Sequence, residues 1–371
     1  MTATDTHAAA RAYARIRYRL LFLNLAAALA FLAAFQWSGA SRQLAAWWAD
    51  RAASEPLRLL GFLAVFGTAY ALVMLPLDFY GSFRLEHRFG LSRMTLKAWG
   101  IRQVKALGVS AVLGAVVLEA LYALLRHVPA SWPLWAAMAW VGFSVVMARV
   151  FPTVLLPIFY KTVPLQDEEL ARRLLALCRR IGLTALGVFR FNLGAETRKA
   201  NAALAGLGKT RRVLLADTLI EEFPPEEIEG VLAHELAHHR YHHITKLLVI
   251  TAVGSWLAFW LTDLVGQRWM SPLGLRGLDD IAGLPVLLLW LSVLGLVSLP
   301  LQNGLSRVFE WEADHFAVAM TDPRAYAAAL RRLGSLNLAD PSPPRWIVRL
   351  FYDHPPIMER VQAAEKIGDS H

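Results

Sequence analysis

The chain has 371 residues, 56% of them hydrophobic, and a mean hydropathy of +0.40. Soluble globular domains rarely reach that value, so composition points to a multi-pass membrane protein. The balance of 38 basic to 29 acidic side chains gives a net charge of +9, and the single cysteine, Cys178, excludes an intramolecular disulfide framework and a cysteine-based zinc site. Nucleic acid is not an expected partner, because the basic residues sit in short loops between apolar stretches, where membrane topology accounts for them. Arginine supplies 31 of the 38 basic residues and alanine is abundant, a composition that leans towards a bacterial source.

Four apolar spans come first, at residues 18–36, 57–77, 104–125 and 132–150, each near the ~20 residues that a bilayer core demands. No small-residue cleavage site follows the first, so it does not read as a removable signal peptide. Pro152 and Pro157 are expected to kink or end the fourth, and Arg149 to reach the interface. Residues 161–243 form the main polar segment. Within it, 165–181 reads as an amphipathic helix. Stretches 187–192 and 210–217 read as short strands, with glycine turns around 205–208, giving a small hairpin.

The segment closes on His234-Glu-Leu-Ala-His238. Pro225, Glu226 and Glu227 mark a helix start, and Ile228, Val231, Leu232 and Leu236 supply an apolar face. Positions i and i+4 share one face, so His234 and His238 can hold one metal ion, and Glu235 stands where it can take a proton from an attacking water. A catalytic zinc needs a third protein ligand. Two more spans follow, at 244–265 and 284–302, and return the chain to the side from which it left. Shortly after them come Glu310 and Asp314, again i and i+4. Glu310 can be the third ligand and Asp314 an acceptor for a ligand-histidine N–H. Glu312 projects elsewhere and is the weaker candidate. His239, His242 and His243 read as polar-face or interfacial residues. His354, fixed by Pro355 and Pro356 ahead of a terminal amphipathic helix, reads either as part of a capping turn or as a donor to an oxyanion.

Charge sets the orientation. Arg11, Arg15, Arg17 and Arg19 precede the first span. Arg84, Arg88, Arg93, Lys97, Arg102 and Lys105 fill the loop after the second, whereas Arg126 stands alone after the third. The positive-inside rule then places both termini and the metal-binding segment in the cytoplasm. The expected architecture is mainly α, a bundle of about six transmembrane helices with a cytoplasmic, gluzincin-like zinc protease domain. Its parts are an N-terminal membrane region (1–160), a catalytic segment (161–243), a transmembrane hairpin (244–303) and a second catalytic segment (304–371).

With these residues assembled, the chain resembles the type I CAAX prenyl endopeptidases, a family of integral-membrane zinc metallopeptidases. The likeness runs from about Leu75 to Ala364. It rests on Glu86-His-Arg-Phe-Gly-Leu-Ser92, Leu156-Pro-Ile-Phe-Tyr-Lys-Thr-Val-Pro-Leu165, Asn201-Ala202, Ala216-Asp-Thr-Leu219, His234–His238, Ser306-Arg307 with Glu310-x-x-x-Asp314, and His354-Pro-Pro356. The resemblance implies one Zn²⁺ per chain on His234, His238 and Glu310, with Glu235 as general base. It also implies Asp314 and Arg360 behind the ligands, His354 facing the site and Asn201 near the substrate backbone. The expected partners are membrane lipid and a peptide or protein substrate, prenylated or otherwise membrane-associated. The expected location is a bacterial inner membrane rather than the endoplasmic reticulum. Quality control of membrane proteins, as in heat-shock-linked proteases, is the alternative activity, and a non-catalytic scaffold with a structural zinc is a third reading. Eukaryotic members of the family have seven spans around a large intramembrane chamber. Six are counted here, with the missing one near the N-terminus.

Overall fold

The computed structural model describes residues 3–206 and 211–369. Among these, six helices are long and apolar enough to cross a membrane. The first is α1 (Ala3–Trp37), followed by a ten-residue helix, α2 (Ala40–Ala49), that is too short to span and that the sequence reading passed over as loop. Next come α3 (Glu55–Arg88), α4 (Leu96–His127) and α5 (Trp132–Phe159). The fourth span does not end at its prolines. Pro152 lacks the N–H that an α-helical ladder needs, and the chain relaxes into a π turn at Phe151–Leu155 before resuming helix to Phe159. Arg149 is exposed on the outer face, as expected of a side chain reaching for the interface.

Ser41 Oγ donates to the Ala282 carbonyl at 2.6 Å, which ties α2 to the connection between the fifth and sixth spans. The first and fifth loops therefore share one end of the bundle. The opposite end receives the N-terminal turns of α1 and the whole polar segment. There the Tyr13 hydroxyl donates to Glu86, whose carboxylate also pairs with Lys199 at 2.9 Å. Tyr18 bonds to Asp340 at 2.9 Å and to the Tyr352 hydroxyl at 2.7 Å. The first membrane helix thus grips two distant parts of the polar region.

That region packs α6 (Glu168–Arg180) and a four-stranded sheet around a single core containing Leu174, Val213, Leu215, Leu219, Leu232 and Leu236. The strands are β1 (Thr162–Pro164), β2 (Val188–Phe191), β3 (Ala202–Ala205) and β4 (Arg212–Ala216), in the order β1-β2-β4-β3. The two stretches expected to form a hairpin are neighbours, but β2 and β4 run parallel. The antiparallel partner of β4 is β3, which the sequence reading did not assign as a strand, because alanine carries little strand preference. Pairing with Val213, Leu214 and Leu215 overrides that preference. Leu207, Gly208 and Thr210, which belong to the expected turn and strand, lie outside the described residues.

The helix α7 (Asp217–Glu222) leads into α8 (Pro225–Arg240), which carries the H-E-x-x-H motif. The start of α8 is held by ion pairs: Glu227 accepts both arms of Arg332, at 2.9 and 3.1 Å, and Arg173 bridges Glu226 and Glu229. After a two-residue break come α9 (His243–Met270) and α10 (Leu284–Met320). With 37 residues, α10 is about 55 Å long, against roughly 30 Å of hydrocarbon. Its last turns therefore project beyond the bilayer and carry Glu310 and Asp314. The chain ends with α11 (Pro323–Leu336), α12 (Arg345–Phe351) and α13 (Ile357–Gly368).

Candidate metal centre

Helices α8 and α10 lie side by side, and the three residues singled out as ligands converge. His234 Nε2 is 3.2 Å from Glu310 Oε2, His238 Nε2 is 3.4 Å from Glu310 Oε1, and the two Nε2 atoms are 3.4 Å apart. Donors about 2.0–2.1 Å from a tetrahedral ion would stand roughly 3.3–3.4 Å from one another, so the spacing fits a zinc-sized cation. The donor chemistry agrees. His234 presents Nδ1 to Asp314 at 2.9 Å, which leaves Nε2 as its lone-pair atom. Glu310 Oε2 is buried with no hydrogen-bond donor. Three electron-rich atoms thus face each other with a charge to share. The same surroundings act on protons. Burial works against a charged His234, but the neighbouring carboxylates of Asp314 and Glu310 outweigh burial and raise it to about 9. A metal binding at Nε2 competes with that proton, so affinity must fall as pH is lowered.

Behind the ligands lies a buried cluster. Asp314 accepts both arms of Arg360, Nε at 2.8 Å and Nη2 at 2.7 Å. The Tyr326 hydroxyl donates to the same carboxylate at 2.6 Å and lies 3.2 Å from His234 Nδ1. Arg360 Nη1 stands 3.8 Å from Glu310. The sequence reading missed Tyr326, whose place on the amphipathic α11 resembles any core aromatic. A further signal is Gly230, four residues before His234. A Cβ there would meet the Tyr326 ring at 3.0 Å and its backbone at 3.3 Å, so the absence of a side chain lets α8 lie this close to α11 without displacing Tyr326.

On the open side, a cavity of about 230 Å³ is lined by Asn201, Ala202, His234, Glu235, His354 and Arg360, among others. Glu235 is half-buried, and burial lifts its carboxyl above the usual range, with His234 and His238 offsetting part of that. His354 Nε2 lies 3.4 Å from Glu310 Oε1, while its Nδ1 bonds to Asp353 at 2.8 Å. That bond to Asp353 raises its affinity for a second proton, with burial opposing. Its side chain is 52% exposed, so a ligand can reach it. Asn201 immediately precedes the edge strand β3. The eight residues singled out from the sequence therefore occupy one neighbourhood.

Two of the remaining histidines, His239 and His243, differ from expectation. His239 is buried and donates from Nε2 to the Leu204 carbonyl at 3.2 Å, tying β3 to α8. His242 is exposed, in a left-handed conformation (φ 57°), and among the described residues the ligand group comprises His234, His238 and Glu310 without it. A closed structural site would need a fourth protein ligand. His243 is buried against the centre rather than spread on a polar face. Glu312 points away from the ligands and accepts from His243 at 2.9 Å.

Comparison with known proteins agrees with this geometry. Residues 1–161 match the family described as CAAX prenyl protease N-terminal, five membrane helices. Within that range the described residues hold four long apolar helices and the short α2. Residues 164–368 match peptidase family M48. An uncharacterized metalloprotease of Bacillus subtilis, YhfN, is 28% identical over 97% of this chain and 85% of its own length. CAAX prenyl protease 1 of Saccharomyces cerevisiae is 25% identical over 84% of this chain and 72% of its own, and the Arabidopsis thaliana homologue 29% over 84% and 74%. The crystal structure of S. mikatae Ste24p shares the fold, with a TM-score of 0.88 at 23% identity over 98% of this chain and 89% of that one. All three converging ligands and the cluster behind them fall within residues 164–368, and a metal centre on six membrane-length helices with that match means that the chain belongs to peptidase family M48, as an integral-membrane metallopeptidase.

Proposed function

We propose that the protein is a zinc endopeptidase that cuts membrane-associated polypeptides at the cytoplasmic face of a bacterial inner membrane. One observation carries the reading: three lone-pair atoms spaced for a single cation, beside an unliganded carboxylate, in a cavity bordered by an edge strand. His234, His238 and Glu310 would hold Zn²⁺. The ion, when bound, supplies Lewis acidity to the scissile carbonyl. An extended substrate can add to β3, with Asn201 beside its backbone. Glu235 takes the proton of the attacking water and delivers it to the departing amine. His354, whose second proton is favoured by Asp353, can offer Nε2–H to the carbonyl oxygen as negative charge develops there. Asp314 fixes the tautomer of His234, and Arg360 and Tyr326 hold Asp314. The alternation of basic loops supports cytoplasmic placement. The metalloprotease relative from Bacillus supports a chain-cutting role, and the CAAX prenyl protease relatives from eukaryotes support prenylated tails as one substrate class.

The test is purified protein against a farnesylated CAAX peptide and an unprenylated unfolded protein. One zinc per chain and hydrolysis of the farnesylated peptide are expected. Cleavage of the unprenylated substrate alone would replace prenylated tails by quality control while leaving the enzyme class intact. The ligand set has its own check. Glu310→Ala should lose the metal, whereas Glu312→Ala should keep one ion per chain at saturating zinc, both read by metal analysis. The reverse result would reassign the third ligand.

A further inference from the structure

We infer that His243 and Glu312 form a hydrogen-bonded relay that orients the metal ligand His238, so that His243 is a positioning residue of the centre. The inference rests on the ligand assignment above. His238 turns Nε2 towards His234 and Glu310, each 3.4 Å away, so its other nitrogen, Nδ1, must carry the hydrogen. That nitrogen is 3.0 Å from Nδ1 of His243. A donor meeting a nitrogen requires a lone pair there, so His243 carries its own hydrogen on Nε2. Glu312 Oε2 lies 2.9 Å from that Nε2 and accepts it. Each link fixes the next: carboxylate, imidazole, ligand imidazole. His234 is held directly by a carboxylate; His238 is held by a carboxylate acting through a second ring.

The backbone is shaped for this. Helix α8 ends at Arg240 and α9 begins at His243. Between them His242 adopts φ 57°, a left-handed conformation that a β-carbon disfavours and that histidine tolerates better than most residues. The break folds His243 back beneath His238 instead of letting the two helices run on. His243 is 1% exposed and stacks on Phe309, with ring centroids 4.5 Å apart and planes 12° from parallel. Phe309 and Glu312 both belong to α10, which also carries Glu310. One helix therefore supplies a ligand, the stacking platform and the terminal acceptor. Lys246 lies 3.8 Å from Glu312 and holds that carboxylate on its exposed side.

The experiment measures zinc affinity by competition with a chelator, independent of turnover. In His243→Phe the ring volume and the stack on Phe309 persist while the acceptor is lost. Zinc should bind about 10–100-fold more weakly, the usual cost of removing a partner of a ligand histidine. In His243→Asn the side-chain oxygen sits where Nδ1 was, so affinity should recover most of that loss. Glu312→Gln, which still accepts from Nε2–H, should bind more tightly than Glu312→Ala. Wild-type affinity in His243→Phe would overturn the relay, as would a His243→Asn protein as weak as His243→Phe, which would reduce His243 to packing. Failure of the wild-type protein to bind zinc would instead sink the ligand assignment itself.

Discussion

Glu235→Gln should lower kcat by about 10²–10⁴-fold, the range typical of a lost general acid–base group, with zinc content and KM close to wild type. The substitution is nearly isosteric and Glu235 is not among the converging ligand atoms, so the metal has no reason to leave. What disappears is the group that collects a proton from water and returns it to the leaving nitrogen. The wild-type pH profile should carry the same signature. Burial holds the Glu235 carboxyl above the ordinary carboxylate range. Only its ionised form is a base, so kcat/KM should fall as pH drops through that raised value, and the acidic limb should lie above the ~4.3 of a free glutamate. Hydrolysis by the glutamine variant at the wild-type rate would exclude Glu235 as the base.

The parts of this site that could be read from the sequence are those encoded by spacing within one helix. His234 with His238, and Glu310 with Asp314, are i and i+4 pairs, so each reveals a face without knowledge of the partner helix. The bundle was legible for a related reason, because a span must be apolar over a fixed length. What stayed hidden depends on contact between elements. Tyr326 meets Asp314 only because α11 packs on α8 through Gly230. His243 joins the centre only because the chain breaks at His242, and a run of histidines does not announce which one reverses the backbone. The strand β3 is four residues with three alanines, and only its pairing with β4 makes it a strand. Even α2, with ten residues of mixed character, was masked by the longer spans around it.

Arg360→Leu should be the most destabilising single change in the catalytic region, by about 3–5 kcal/mol, because it strands a buried charge. Arg360 is 8% exposed and makes a two-pronged pair with Asp314, which is itself 5% exposed. It also reaches the Tyr326 hydroxyl at 3.2 Å and approaches Glu310. Without the guanidinium, two carboxylates share a closed space with only His234 and the metal to balance them. The loss should appear as a lower unfolding midpoint in detergent and as zinc released at milder chelator concentrations. Arg360→Lys keeps a charge but not the planar fork, so it should fall between wild type and leucine. The decisive comparison is Arg360→Leu combined with Asp314→Asn. If the penalty comes from an unpaired carboxylate, neutralising Asp314 should restore part of the stability that Arg360→Leu removed, while leaving His234 with a weaker acceptor and zinc less firmly held. A double variant less stable than Arg360→Leu alone would mean that the arginine acts through packing of its stem between α10, α11 and α13, and the electrostatic account of the cluster would fail.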